Sequence, residues 1–541
     1  MQNDEIRILT SKGGLYQIPP SLYDYVCLTS DRKCYYNETY PDNPHVLNKI
    51  ALFKAAKLFD ESPIPLSSSE LRALYDKTTK NSYESSELQK EITGIFTLAA
   101  SKNASDVHII VRKTECIIKL RVSGDLIPLE EYTYKHGYSL CKTIFMSMCD
   151  QAGKTFQPRK NQDARMKSVF LPESISGVRI GTRPTDGGFM MVCRLLKRTN
   201  ISNVDLLSLG YEPYHIESLN LAISRKSGIS IVAGPTNSGK STILAMIIAN
   251  ILKQSNGTKN IITVENPVEY EISAVTQIVK DVDGEKVTRE LRSYANQTPV
   301  MADTTKKKST MFAEAISGIM RLDPNVIMIG EIRDAGSLAA AIDSSMTGHQ
   351  VWTTVHATSA IGIVNRLLTV GRDGDSVVQK ELICDASNVT CLMSQRLVKK
   401  LCPLCSTYLI DDLSRVDHAT LDRIKKCFNN DLNGIKLRGK GCNECESGIG
   451  GLTVIAEIVL CDKFFMDKMQ TSPLEAETYW LKELNGLPMM MHGLIKVKRG
   501  EVAVEDLESG LEPINIPKDL NIEYFKKVCV SMVSQSPHAK A

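Results

Sequence analysis

No stretch of this 541-residue chain reaches the roughly 18 to 20 consecutive apolar residues that a membrane-crossing helix needs. No integral membrane segment is therefore expected. Charge of one sign is also missing. The 65 Lys and Arg nearly balance 62 Asp and Glu, leaving a net +3. Phosphate-backbone affinity comes from clustered Lys and Arg, so no nucleic-acid partner is expected. The opening Met1-Gln2-Asn3-Asp4-Glu5 lacks the basic-then-apolar pattern of a signal peptide, and a cytosolic location is expected. Residues 1 to 80 lack any chemical signature. Cysteine, in contrast, is plentiful. Fifteen is an odd number, and in a reducing compartment most would be thiols or metal ligands.

The strongest motif is Gly234-Pro235-Thr236-Asn237-Ser238-Gly239-Lys240-Ser241. It follows the apolar run Ile229–Ala233, which reads as a buried strand. It precedes Thr242–Ile248, which reads as a helix. Strand, glycine-bounded loop, Lys-Ser and helix make the full phosphate-binding pattern in its required context. The glycines let successive backbone N–H groups turn toward phosphate oxygens. The helix N-terminus adds unpaired donors and partial positive charge. Lys240 can reach the β- and γ-phosphates, and the Ser241 hydroxyl can ligate Mg²⁺. Residues 234–242 are thus the predicted site for a nucleoside triphosphate, here taken as ATP.

Three more apolar runs end in a polar residue. Ile261–Val264 ends at Glu265, Val326–Ile329 is followed by Gly330-Glu331, and Val351–Val355 is followed by His356. In an α/β sheet, ligands bind at the carboxyl ends of the strands. Glu331 needs only to orient a water in line with the γ-phosphate or to hold the metal. Glu265 and Glu269, four residues apart, could serve Mg²⁺ or water, and a solvated turn is the competing reading. His349 and His356 bracket the third run. A neutral imidazole can donate a hydrogen bond to a γ-phosphate, although a lone histidine is more often structural.

The other constellation is Cys402-Pro403-Leu404-Cys405 with Cys442-Asn443-Glu444-Cys445. Two such knuckles can place four thiolates tetrahedrally around Zn²⁺, a closed and structural site. The competing reading is two chance pairs. The remaining eleven cysteines show no second such spacing.

A length of 541 residues is too great for one core. The expected units are 1–85, 86–200, a connection at 201–213 and a nucleotide domain at 214–541. Val46–Phe59 reads as a helix and the Pro- and Ser-rich stretch 62–69 as a loop. Leu88, Ile92, Ile95, Phe96 and Ala99 share one helical face. Strands are expected at 106–109, 117–122 and 177–182, with a helix at 138–149. Asp106 and His108 read as structural. The Lys306-Lys307-Lys308 run reads as a solvated loop.

Together these motifs resemble the secretion ATPase superfamily that drives type II secretion and type IV pilus assembly. The phosphate loop, the acidic stretch 263–270, the Gly-Glu-Ile-Arg-Asp ending of 322–334 and the histidine stretch 347–357 each match a family motif. The tetracysteine pair, followed by 448–457, resembles the zinc-binding insertion of assembly and secretion motors. Length and the divergent N-terminus look most like a type IVb, bundle-forming-type pilus assembly ATPase. The resemblance implies an α/β fold: a RecA-like ATPase domain with a zinc insertion, preceded by an α+β PAS-like domain and a smaller helical N-terminal domain. It implies a homohexamer, peripheral to the inner membrane, acting on a platform protein there. Arg179 and Arg194 match positions that supply arginines to the nucleotide. Two departures stand out. Asn266 replaces an expected Asp, and Glu314 and Ser317 stand where two arginines are usual, leaving Arg321 and Arg333. A type II secretion or DNA-uptake motor is the alternative within the fold. A zinc-containing nucleotide switch with negligible turnover is the alternative outside it.

Overall fold

The computed structural model describes residues 24–39, 43–59, 62–150, 155–197, 204–266, 268–282, 285–300, 308–372, 377–445 and 447–516, with a few positions between 8 and 41. Lys306, Lys307, Pro267 and residues 201–203 lie outside the described residues. The chain divides into two compact units, Met1–Lys197 and Arg198–Ala541.

The first unit opens with strands β1 (Val26–Leu28), β2 (Cys34–Asn37) and β3 (Ile64–Leu66), with helix α1 (Pro44–Ala55) between the last two. β2 pairs antiparallel with β1 and parallel with β3. The expectation of a helical N-terminal domain is therefore corrected: a small sheet is present, and its strands of three or four residues are too short to show a period. The stretch 62–69 is not merely a loop. It contains β3, and Ser67 caps α2 (Ser68–Ser101) in a capping box with Glu70. α2 runs unbroken through residue 85, where a domain boundary was expected.

Next come β4 (Asp106–Val111), β5 (Glu115–Val122), β6 (Asp125–Thr133), α3 (Tyr134–Ser147), β7 (Gln162–Met166), β8 (Ile175–Thr185) and β9 (Gly188–Lys197). The strands form an antiparallel sheet in the order β6-β5-β4-β9-β8-β7. One face is apolar because alternate residues of β4 and β5, such as Val107, Ile109, Ile118 and Leu120, point the same way. Ile92, Phe96 and Ala99 of α2 and Leu140, Ile144 and Phe145 of α3 cover it.

The second unit begins with α4 (Leu206–Leu209) and α5 (Pro213–Ser224), then alternates strand and helix. The order is β10 (Gly228–Ala233), α6 (Lys240–Gln254), β11 (Ile261–Glu265), β12 (Ser273–Val282), β13 (Glu285–Tyr294), β14 (Asn296–Pro299), α7 (Lys308–Ile319), β15 (Val326–Ile329), α8 (Ala335–Met346), β16 (Gln350–Val355) and α9 (Ala360–Val370). The extra sequence after Glu271 is thus ordered as an antiparallel hairpin, β12–β13, and an edge strand. After α10 (Lys380–Ile383) the chain forms β17 (Val389–Leu401), β18 (Thr407–Tyr408), α11 (His418–Cys427), β19 (Lys436–Leu437) and β20 (Ile449–Leu460). It ends in α12 (Lys463–Thr471), α13 (Pro473–Lys482), α14 (Met489–Lys498) and α15 (Val504–Gly510).

Seven strands form the central sheet, ordered β14-β11-β15-β16-β10-β17-β20. All neighbours are parallel except β17 and β20. β10, β11, β15 and β16 are buried at every position, as parallel strands covered on both faces must be. Alternate residues feed two cores. Ile229, Ile231, Ile327, Ile329 and Val351 pack with α7, α8 and α9, whereas Val232, Val326, Met328 and Trp352 pack with α5 and α6. This three-layer arrangement places the carboxyl ends of the six parallel strands along one edge.

Candidate nucleotide and metal sites

The loop 234–239 leaves the carboxyl end of β10 and enters α6. Gly234 has φ +152°, and a Cβ there would lie 2.4 Å from the Ser238 Oγ and 2.5 Å from the Gln395 backbone oxygen. Only glycine allows that approach. Gly239, at φ +83°, precedes α6 and offers no capping side chain. The first turn of α6 therefore keeps donors for an anion, whereas α8 and α9 are capped by Asp334 and Ser359. The Lys240 ammonium donates to the carbonyls of Gly234 and Pro235 at 2.7 and 2.9 Å. Burial pulls its pKa down, and the charges of Glu331 and Glu269 oppose that shift. Ser241 is exposed and Thr242 shares a hydrogen bond with the Tyr270 hydroxyl at 2.9 Å.

Glu331 sits two residues beyond β15, held between the Arg333 guanidinium at 2.7 Å and His356 Nε2 at 3.2 Å. Thr354 Oγ1 fixes the preceding Gly330 carbonyl at 2.6 Å. Glu265 ends β11 and is buried. Its Oε1 accepts from Thr263 Oγ1 at 2.7 Å and from Gln297 Nε2 at 2.9 Å. Burial raises its pKa, and these hydrogen bonds partly offset the rise. Gln297 comes from the edge strand β14, and it also donates to the Tyr270 carbonyl at 2.8 Å.

The loop, Glu331, Glu265, Glu269 and His356 thus gather at the carboxyl edge of the sheet. His349 does not join them. It precedes β16, hydrogen-bonds Thr347 and Ser344, and its carbonyl accepts from Gly228 at the start of β10. A six-residue strand separates it from His356, roughly 20 Å along the sheet. Arg321 also lies at the amino edge, in the turn before β15. Arg179 and Arg194 face each other across β8 and β9 in the first unit. Arg194 Nε is committed to the buried Asp106 carboxylate at 3.0 Å. That agrees with reading Asp106 as structural.

Some contributors escaped the sequence reading. Thr263 and Gln297 shape Glu265, and Gln395 touches the loop from β17. The one signal for Gln395 is a polar stretch, Ser394-Gln395-Arg396, between the apolar Cys391-Leu392-Met393 and Leu397-Val398. Asp334 was seen as a motif ending, yet it is the N-cap of α8, accepting from Ser337 N at 2.8 Å.

The cysteines lie where β17 ends and shortly before β20 begins. Sγ atoms of Cys402 and Cys442 are 3.8 Å apart, those of Cys405 and Cys445 3.5 Å, and those of Cys442 and Cys445 3.6 Å. All four lie within 4.8 Å of one another. A Zn–S bond of about 2.3 Å in a tetrahedron requires sulfurs about 3.8 Å apart, so the set fits zinc. Backbone donation from Leu404 lowers the Cys402 thiol to about 7, whereas desolvation raises those of Cys405 and Cys445.

Residues 81–509 match the family model for type II/IV secretion system proteins. The chain belongs to that family. It is 32% identical over 374 residues to the type II secretion system protein E of Klebsiella pneumoniae, covering 69% of this chain and 65% of that one. It is 30% identical over 422 residues to the type II secretion system ATPase E of Vibrio cholerae, covering 77% and 74%. The type IV pilus assembly ATPase PilB of Thermus thermophilus is 27% identical over 511 residues, 93% of this chain and 50% of that one. The crystal structure of the pilus retraction motor PilT with bound ADP shares the fold, with a TM-score of 0.50 at 21% identity, covering 80% of this chain and 98% of that one. This member of the family is an ATPase of the secretion and pilus motor class. Among the described residues no helix is long and apolar enough to cross a membrane.

Proposed function

We propose that the chain is one subunit of a hexameric motor, seated in the cytoplasm against the inner membrane, that powers type IV pilus assembly through a platform protein. One observation carries the site: the Lys240 ammonium rests on the loop carbonyls within the electrostatic reach of Glu331 and Glu269. In this reading the loop N–H groups and Lys240 hold the β- and γ-phosphates, and Ser241 holds Mg²⁺, which neutralises phosphate charge. Glu331 orients the attacking water, and His356, bonded to Glu331, carries word of the γ-phosphate. Glu265 and Glu269 flank the metal. Arg179 and Arg194 are the arginines assigned to transition-state charge, and Arg194 also pairs with Asp106. His349 and Arg321, at the other edge, take no part within their own subunit. The four cysteines hold a structural zinc.

The pilus reading is supported by the breadth of the alignment with the Thermus ATPase, 93% of this chain. The higher identity to the type II secretion proteins favours a second reading, a secretion motor of the same build. A host deleted for this gene decides between them when scored for surface pili by electron microscopy and for secreted protein. Pili lost, and restored by the intact chain but not by Lys240→Ala, support the first reading. Lost secretion with normal pili overturns it in favour of the second.

A further inference from the structure

The phosphate loop is held from below by a side chain outside it. β17 runs parallel to β10, with Ala233 opposite Ser394, so Gln395 arrives directly under the loop. Its Nε2 donates to the Ser238 carbonyl at 2.6 Å. Its own backbone oxygen lies against Gly234, and its Nε2 would meet a Cβ on Gly239 at 3.1 Å. Its Oε1 accepts from the Tyr211 hydroxyl. Gln395 is 1% and Tyr211 2% exposed. Chemistry fixes the direction of this chain. A carbonyl only accepts, so the amide must turn its NH₂ to Ser238 and its oxygen to Tyr211, and the phenol must donate. Burial raises the Tyr211 pKa, which keeps that proton in place.

The consequence lies in the peptide plane. The C=O of Ser238 and the N–H of Gly239 share one planar trans unit and point in opposite directions. Holding the carbonyl against Gln395 aims the Gly239 N–H away from β17, toward the side where a phosphate would sit. Tyr211 in turn lies near the start of the second unit, just after α4. It follows Gly210, whose φ of +102° ends α4 and whose carbonyl accepts from His492 Nε2 at 3.1 Å. Pro213 then starts α5. We propose that Tyr211 and Gln395 are positioning residues that set the Ser238–Gly239 peptide for phosphate binding and tie the phosphate loop to the turn between α4 and α5 of the same unit. This rests on reading 234–241 as the nucleotide loop.

Full-length Tyr211→Phe, Gln395→Met, the double variant and Lys240→Ala are compared with the parent. A fluorescent ADP analogue gives Kd, steady-state ATP hydrolysis gives KM and kcat, and thermal melting without nucleotide reports folding. Losing one hydrogen bond of this kind should weaken Kd roughly 3- to 10-fold in Tyr211→Phe. Gln395→Met should weaken it at least as much, and KM should rise in step while kcat moves less. Because the two act in series, the double variant should bind no worse than Gln395→Met. Tyr211→Phe removes one hydroxyl and keeps the ring, so it decides the matter should Gln395→Met fail to fold. Unchanged Kd in Tyr211→Phe, or a double variant whose losses add, overturns the relay, provided Lys240→Ala has lost binding. Binding retained in Lys240→Ala overturns the loop assignment and the relay with it.

Discussion

Glu331 and Glu265 are both carboxylates at strand ends, but their surroundings assign them different work. Glu265 is buried, and its Oε1 already accepts two hydrogen bonds, from Thr263 and Gln297. Glu331 is only half-buried, and its partners are the exposed side chains of Arg333 and His356, which can swing away. A carboxylate with displaceable partners can take up a water, whereas one held by its neighbours can only flank the metal from a fixed position. Glu331→Gln should therefore leave nucleotide affinity within about twofold and lower kcat by roughly 10²- to 10⁴-fold. Equilibrium binding and single-turnover hydrolysis on one preparation separate the two effects. Parallel losses in both would assign Glu331 a structural role. Lys240→Ala, which removes the cation seated among the loop carbonyls, should abolish turnover in a phosphate-release assay, and persistent turnover would count against the site.

Packing between elements hides a second set of titrating groups. His215 of α5 and His492 of α14 are fully buried, with ring centroids 4.5 Å apart. His215 bonds the Ala456 carbonyl, and His492 bonds the Ala456 N–H and the Gly210 carbonyl. Lys496, itself buried, disfavours a further positive charge. Glu212 is taken up by Arg499 at 2.8 Å and approaches His492 only to 3.8 Å. Glu501 sits 3.6 Å from Lys496. Burial carries His215 down to about 3 and His492 well down too. Between pH 3 and the ordinary 6.5 the unfolded chain takes up protons that the folded one refuses. The stability from neutral histidines is thus complete above about pH 6.5 and is lost as pH falls, at about 1.4 kcal/mol per pH unit for each ring. Melting temperature should drop between pH 7.5 and 5, and His215→Gln should flatten that slope. An unchanged slope would reject the assignment. At the sheet's far edge, the β17–β20 hairpin should lose bound metal in Cys442→Ser, measured by elemental analysis, with earlier proteolysis between 402 and 445; full metal retention would reject the zinc site. How legible these elements were depends on burial pattern. β10, β11, β15 and β16 are short runs rich in apolar and β-branched residues and bounded by turn residues, and they stand out. β17 and β20 were not named, because their 13 and 12 residues carry polar groups buried by specific partners. Tyr211 and Gln395 are 184 residues apart, and no local pattern joins them.

For the molecule as a whole, the phosphate loop lies in the second unit and Arg179 in the first. A ring of identical subunits has head-to-tail interfaces, so each nucleotide can meet groups from two chains. In the proposed motor, Arg179 reaches a γ-phosphate bound by another subunit's loop, as the arginine fingers of other phosphate-loop enzymes do. Arg179→Ala should then bind nucleotide normally and hydrolyse it slowly, whereas Lys240→Ala should do neither. Mixing the two inactive variants, with subunits exchanged before assay, tests the arrangement. If the site is shared, some interfaces pair an intact loop with an intact arginine, and turnover returns. If each chain completes its own site, every site in the mixture still lacks one group, and the mixed ring stays as inactive as its parents. Crosslinking before mixing blocks exchange and should abolish any recovery, which separates true complementation from residual activity of either variant.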